Sequence, residues 1–196
     1  MVNSTRLESA RAKAHVGSNP TSSAKIMTSK ALSAKIVQNV NQAIYVMRDA
    51  GKWLLENNKN PSKWWSLKNL NRKFLLQYAK PDEFYVALIN NEPAAAAILQ
   101  FNQKAQDWKS IDGDRRQPAL YIHWLCVHRK FADNNLTKIM VNFASTLAQA
   151  QNINLLRVDT NAEELKLRKI YEGLDFQLAD IKQEDYRKTA FYQKSL

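Results

Sequence analysis

The side chains whose types and order point to chemistry lie between residues 119 and 176. A run of apolar residues carries His123 and Cys126 and ends at a basic turn, His128-Arg129-Lys130. Asp133-Asn134-Asn135 then opens a helical stretch, a second apolar run ends at Asp159, and Tyr171 closes another helical stretch. An imidazole, with a pKa near ~6.5, can take a proton from a nucleophile, which makes His123 the best local candidate for a base. A phenol, with a pKa near ~10, can give one to a leaving group, which makes Tyr171 a candidate acid. Unbonded amides at a helix start, beside a basic turn, suit an anion. The same groups also have structural readings: a histidine held by packing, a tyrosine in the core, a helix that merely starts well, and an aspartate that caps a strand end. Strand alternation puts Tyr121, His123, Leu125 and Val127 on one face and Leu120, Ile122, Trp124 and Cys126 on the other. On that pattern Cys126 is buried and inert, and no metal cluster can be assembled around it by spacing.

These residues need a frame that brings two strands side by side. The order strand (119–127), turn, helix (134–151), strand (152–159), helix (162–174) is a βαβα unit, which sets two parallel strands together with a ligand crevice at their ends. Upstream, Ser33 is expected to cap a helix over 34–57, because Ile36, Val37, Val40, Ala43, Ile44, Met47, Ala50 and Leu54 recur at spacings of three and four. A weak first strand is expected within 25–32, a second helix over 66–78, and a hairpin of strands 83–89 and 94–101 about Asn90-Asn91-Glu92-Pro93. Residues 103–117 read as a loop, and 176–179 and 190–193 as closing antiparallel strands. Trp53, Trp64 and Trp65 fall in the helical region and read as core.

The chain has 196 residues, enough for one sizeable core, and no apolar run approaches the ~20 residues of a membrane helix. A lone cysteine fits a reducing cytoplasm. The net charge of +11 would suit an anionic ligand, nucleic acid or an acidic surface. It is scattered from Arg6 to Lys194 without a block of five like charges, so it reads as a solvated basic surface, and no pattern specific to nucleic acid supports the alternative. Residues 1–24, rich in Ser, Thr, Ala and Asn and without hydrophobic period, are expected to be a disordered extension, and 25–196 a single domain. Gly17-Ser18-Asn19-Pro20 is what one reading frame gives across the T-arm of a transfer-RNA gene, which predicts a natural start at Met27. Coding DNA without a T-arm there removes that expectation.

The order helix, helix, hairpin, strand, turn, helix, strand, helix, strand resembles the GNAT superfamily of acyl-CoA-dependent N-acetyltransferases, from about residue 33 onward. Ala50-Gly51-Lys52-Trp53-Leu54, the strand from Leu120 to Val127 and Tyr171-Glu172-Gly173-Leu174-Asp175-Phe176 are similar to short motifs of bacterial members. The resemblance implies an α/β (α+β) fold with a mixed, mostly antiparallel central sheet flanked by helices. It implies transfer of an acetyl group from acetyl-CoA to a primary amine, with no metal. The acceptor, a small molecule or a peptide, is not specified, and a homodimer is left open. Tyr171 takes the general-acid position. The main chain of Leu125, Cys126 and Val127 would align the pantetheine arm, and the turn from Arg129 and Lys130 to Leu136 would hold the pyrophosphate.

This sequence departs from the family where that turn carries Arg/Gln-x-x-Gly-x-Gly/Ala. The motif falls on Ala132-Asp133-Asn134-Asn135-Leu136-Thr137, which contains no glycine. Asn tolerates the left-handed region, so Asn135 can keep the shape. Asp133 can cap the helix in place of the anion, and a like charge ~4 Å from a phosphate at an effective dielectric of ~20 costs about 4 kcal/mol. Glu164 replaces the family's second coenzyme-binding Asn, with Asn161 one turn earlier as a substitute. The alternative is therefore a catalytically impaired binding protein on the same scaffold, with a degenerate pyrophosphate loop.

Overall fold

The computed structural model describes residues 34–59, 63–102, 108–184 and 187–196. Residues 1–24, the strand expected within 25–32, Met27 and Ser33 lie outside the described residues. The first helix, α1, is Val40–Glu56, and its cap is Asn39, whose side chain accepts from the Gln42 amide at 3.0 Å. Residues expected to begin that helix instead form strand β1, Lys35–Gln38, paired antiparallel with β2. The branched pair Ile36-Val37 fits either period, and cross-strand partners decide it. The predicted stripe holds further on: Val40, Ala43, Val46, Met47 and Ala50 are buried. The second helix shrinks to α2, Arg72–Leu75, because the Asn71 side-chain oxygen accepts from the Phe74 amide and caps the helix late.

Gly51 lets α1 lie close to the segment before α2. A Cβ there would stand 2.5 Å from Cδ1 of the fully buried Leu70. We expect Gly51→Ala to lose about 1 kcal/mol net, because ~1–3 kcal/mol of overpacking outweighs the ~1 kcal/mol gain in helix propensity. A raised urea midpoint would show instead that Leu70 rotates aside.

Strands β2 (Phe84–Ile89) and β3 (Glu92–Gln100) form the predicted hairpin, with Asn90 and Asn91 both at positive φ, as a two-residue turn matched to strand twist requires. Then follow α3 (Lys109–Asp112), β4 (Leu120–Val127), α4 (Leu136–Gln149), β5 (Leu155–Asn161), α5 (Leu165–Glu172), β6 (Gln177–Gln183) and β7 (Lys188–Ser195). The seven strands among the described residues make one sheet in the order β1-β2-β3-β4-β5-β7-β6, antiparallel except for β4 beside β5. Helices α4 and α5 pack on one face, over Leu120, Ile122, Leu156 and Val158, and α1 packs on the other, over Val86, Ala96 and Ile98.

The expected loop 103–117 contains α3, pinned by an ion pair. Arg157 Nη2 and Nη1 donate to Asp112 Oδ1 and Oδ2 at 2.5 and 2.9 Å, and Nη1 to the Tyr121 hydroxyl at 3.3 Å. The guanidinium lies 4.5 Å over the Trp108 ring, with no exposed surface on its side chain. Burial pulls the Arg157 pKa down, but its bonds to Asp112 and Tyr121 outweigh that and hold it charged.

Candidate active site

Strands β4 and β5 are paired only at their starts, Leu120 with Leu156 and Tyr121 with Arg157. Beyond that rung each continues without the other, β4 to Val127 and β5 to Asn161, leaving a cleft between two parallel strands whose facing backbone groups are free of each other. The other edge of β4 pairs with β3 through a bulge: Ile98 faces His123 and Ala96 faces Cys126, so Trp124 and Leu125 together oppose Ala97. Trp124 holds φ +48°, and its indole Nε1 is buried with no hydrogen-bond partner among the described residues. A bulky residue in that region is strained, and such strain concentrates at ligand sites.

The bulge overturns the predicted alternation. Leu125 and Val127 pack with Leu120 and Ile122 on the α4 face, while Trp124 and Cys126 join the α1 face together with Tyr121 and His123. The His123 ring stacks on Tyr121, with centroids 6.5 Å apart and planes 10° apart. Cys126 changes face but not character, since burial raises its thiol pKa well above the usual range.

At the open end of the cleft, His128-Arg129-Lys130-Phe131 make a tight turn into α4. Asp49 Oδ2 on α1 accepts from the Arg129 amide at 2.7 Å, and the Arg129 guanidinium lies 4.3 Å over Trp53. Lys130 pairs with Glu92. Asn134 donates from Nδ2 to the carbonyls of Phe131 and Ala132, 3.1 Å each, and closes the turn. Asp133 (φ +65°) and Asn135 (φ +54°) both adopt the left-handed conformation that glycine usually supplies. Asn135 is the cap of α4 and makes no side-chain bond to it, and the first helical bond runs from Ile139 to the Asn135 carbonyl. The amides of Leu136, Thr137 and Lys138 therefore have no partner among the described residues. Asp133 is exposed and forms no bond to the helix start, which corrects the expectation that it would cap α4.

Tyr171, in the last turn of α5, is buried against Phe176 and Tyr192, with ring centroids 5.7 and 6.1 Å away. No described residue bonds its hydroxyl. Burial raises its pKa far above the usual phenol range, and the charge of Asp159 raises it further. Asp159 lies on the α1 face, so the coupling crosses the sheet where β4 and β5 have parted. Asn161, at the end of β5, accepts from the Glu163 amide at 3.0 Å, and Glu164 sits at the start of α5, 4.0 Å from Lys59. The tryptophans are half-buried rather than core: Trp53 lies under Arg129, Trp64 packs edge-on to Tyr78 at 5.2 Å, and Trp65 lines the core beside α1. Among the described residues no group of three metal-binding side chains converges.

Residues 48–176, the span that holds the cleft, match the model of the acetyltransferase (GNAT) family. The chain belongs to the GNAT family. Solved structures share the GNAT fold with it at low identity. One is a GNAT acetyltransferase of Listeria monocytogenes (21% identity, TM-score 0.65, covering 87% of this chain and 99% of that one). Another is the PaiA N-acetyltransferase of Thermoplasma acidophilum in complex with coenzyme A (13%, 0.61, 84% and 99%). A third is the polyamine N-acetyltransferase of Drosophila melanogaster (14%, 0.60, 84% and 100%). No curated protein sequence matches the chain.

The GNAT resemblance singled out Tyr171, which lies in the last turn of α5, and the turn before α4. Sequence reasoning missed the bulge at Trp124, which no Gly or Pro marks, and the Asp112–Arg157 pair, whose partners are 45 residues apart.

Proposed function

We propose that this protein transfers an acetyl group from acetyl-CoA directly to a primary amine. The observation that carries this reading is the parted β4–β5 pair running up to an uncapped α4, with Asp133 and Asn135 in the conformation that glycine usually supplies. The main chain of Leu125, Cys126 and Val127 along the cleft would align the pantetheine arm. The pyrophosphate would rest on the amides from Leu136 to Lys138, where the helix dipole favours an anion and Arg129 and Lys130 add positive charge. Ala132, Asn134 and Thr137 shape that turn, and Asn161 borders the other side of the cleft. Glu164 pairs with Lys59 and leaves the coenzyme role to Asn161. Acetyl-CoA supplies the activated acetyl group.

His123, on the α1 face above the last paired rung, takes one proton from the acceptor ammonium. The neutral nitrogen then attacks the thioester carbonyl, the C–N bond forms and the C–S bond breaks. The departing thiolate takes the Tyr171 proton, and the second proton of the nitrogen returns to the Tyr171 oxygen. Because its pKa is raised, Tyr171 enters each cycle protonated at any ordinary pH. The lone cysteine and the absence of a helix, among the described residues, long and apolar enough to cross a membrane accord with work in a reducing cytoplasm.

Calorimetric titration with acetyl-CoA tests the reading, together with release of free thiol in the presence of amines. Saturable binding with turnover supports it. Binding without turnover on any amine points to an impaired GNAT protein, and no binding overturns the assignment. In the same titration Asp133→Gly is expected to tighten binding about tenfold, because it removes an exposed, partly screened like charge and relieves a left-handed non-glycine residue. An unchanged affinity would mean that the carboxylate points away from the phosphates.

A further inference from the structure

The α1 face of the cleft carries a carboxylate that the transfer reaction as described does not use. Tyr121 and Arg157 form the last paired rung, and their side chains meet on that face. His123 and Asp159 each lie two residues further on. Strand β5 pairs with β7 in unbroken register, so Asp159 keeps the face of Arg157, and His123 keeps the face of Tyr121, on whose ring it stacks. The two groups therefore flank the mouth of the cleft from opposite strands, just past the point where the strands part. Asp159 Oδ2 is held by Arg187 Nη2, while Oδ1 has no hydrogen-bond partner among the described residues, and the side chain is 24% exposed. The carboxylate is also close enough to Tyr171, the acid of the proposed reaction, to raise its pKa through the gap.

We propose that Asp159 is the acceptor-binding carboxylate: its Oδ1 takes a hydrogen bond from the ammonium group of a cationic alkylamine and sets the nitrogen between His123 and the thioester. The inference rests on the acetyltransferase reading. Arg187 holds Oδ2, and Oδ1 keeps its lone pairs for the ammonium. The amine docks charged, and one proton passes to His123.

Two substitutions that break the same ion pair separate this role from a merely structural one. With n-butylamine as probe and saturating acetyl-CoA, Asp159→Asn is expected to raise KM about tenfold or more with kcat within about threefold, the loss of one charge-assisted hydrogen bond. Arg187→Gln frees the carboxylate from its competitor and is expected to lower KM a few-fold. If the pair only braces the sheet, both variants shift KM in the same direction, and that result overturns the proposal. So does an unchanged KM in Asp159→Asn, or a wild-type protein that binds acetyl-CoA yet leaves butylamine unacetylated. A wild-type protein that gives no heat with acetyl-CoA overturns the acetyltransferase reading itself. Melting temperatures confirm that each variant is folded, and if Asp159→Asn is not, a raised KM in Arg187→Gln alone is decisive against the role.

Discussion

Tyr171→Phe is expected to slow acetyl transfer by about 10²- to 10⁴-fold, the usual contribution of a positioned general acid, while acetyl-CoA binds as before. The substitution removes one atom and keeps the ring, so the packing on Phe176 and Tyr192 survives. No described residue bonds the hydroxyl, so folding loses nothing that it held. The rate loss should be carried by kcat, because the proton is needed only as the C–S bond breaks. Rapid-quench or steady-state rates beside a calorimetric affinity make the comparison. An unchanged rate would remove Tyr171 from the chemistry, and a parallel loss of binding would make it a wall of the cleft.

Arg157→Ala is expected to cost about 3–5 kcal/mol of stability, among the largest effects available to a single side chain, because it leaves Asp112 buried and uncompensated. The Asp112 carboxyl is held below the usual carboxylate range, first by its hydrogen bonds to Arg157 and then by the charge of that guanidinium, against the opposing effect of burial. A carboxyl whose pKa is depressed on folding contributes stability above its unfolded value of 3.8 and loses it as pH falls through the folded one. The gap between wild type and Arg157→Ala should therefore be widest near neutrality and narrow as the pH drops below about 4. Urea midpoints at pH 7 and pH 3.5 measure it. A gap independent of pH would assign the loss to packing on Trp108 instead. Arg157 shares the last β4–β5 rung with Tyr121, so acetyl-CoA affinity should fall along with stability.

Much of the frame was legible because it is written in short periods. Apolar and branched runs on either side of a turn signal gave the hairpin about Asn90-Asn91, an apolar run gave the strand ending at Val127, three-and-four spacing gave α1 and α4, and the order of elements gave the parallel pair. The left-handed turn before α4 was readable as a tolerance of Asn, but that Asp133 adopts the same conformation and stays off the helix start was not. The early strand was misplaced because Ile36 and Val37 suit a helix face and a strand equally, and only the partner β2 separates the two.

The sequence by itself determined the element order from β2 onward apart from α3, the buried stripes of α1 and α4, and the place of Tyr171 at the end of a helix, since each depends on residues within a few turns of one another. Tertiary structure alone decided which face His123, Trp124 and Cys126 occupy, where β4 and β5 part, and that Asp159 stands across from His123. Those outcomes follow from register between distant strands. One extra residue in a bulge reverses every side chain beyond it, and nothing local in the chain records that choice.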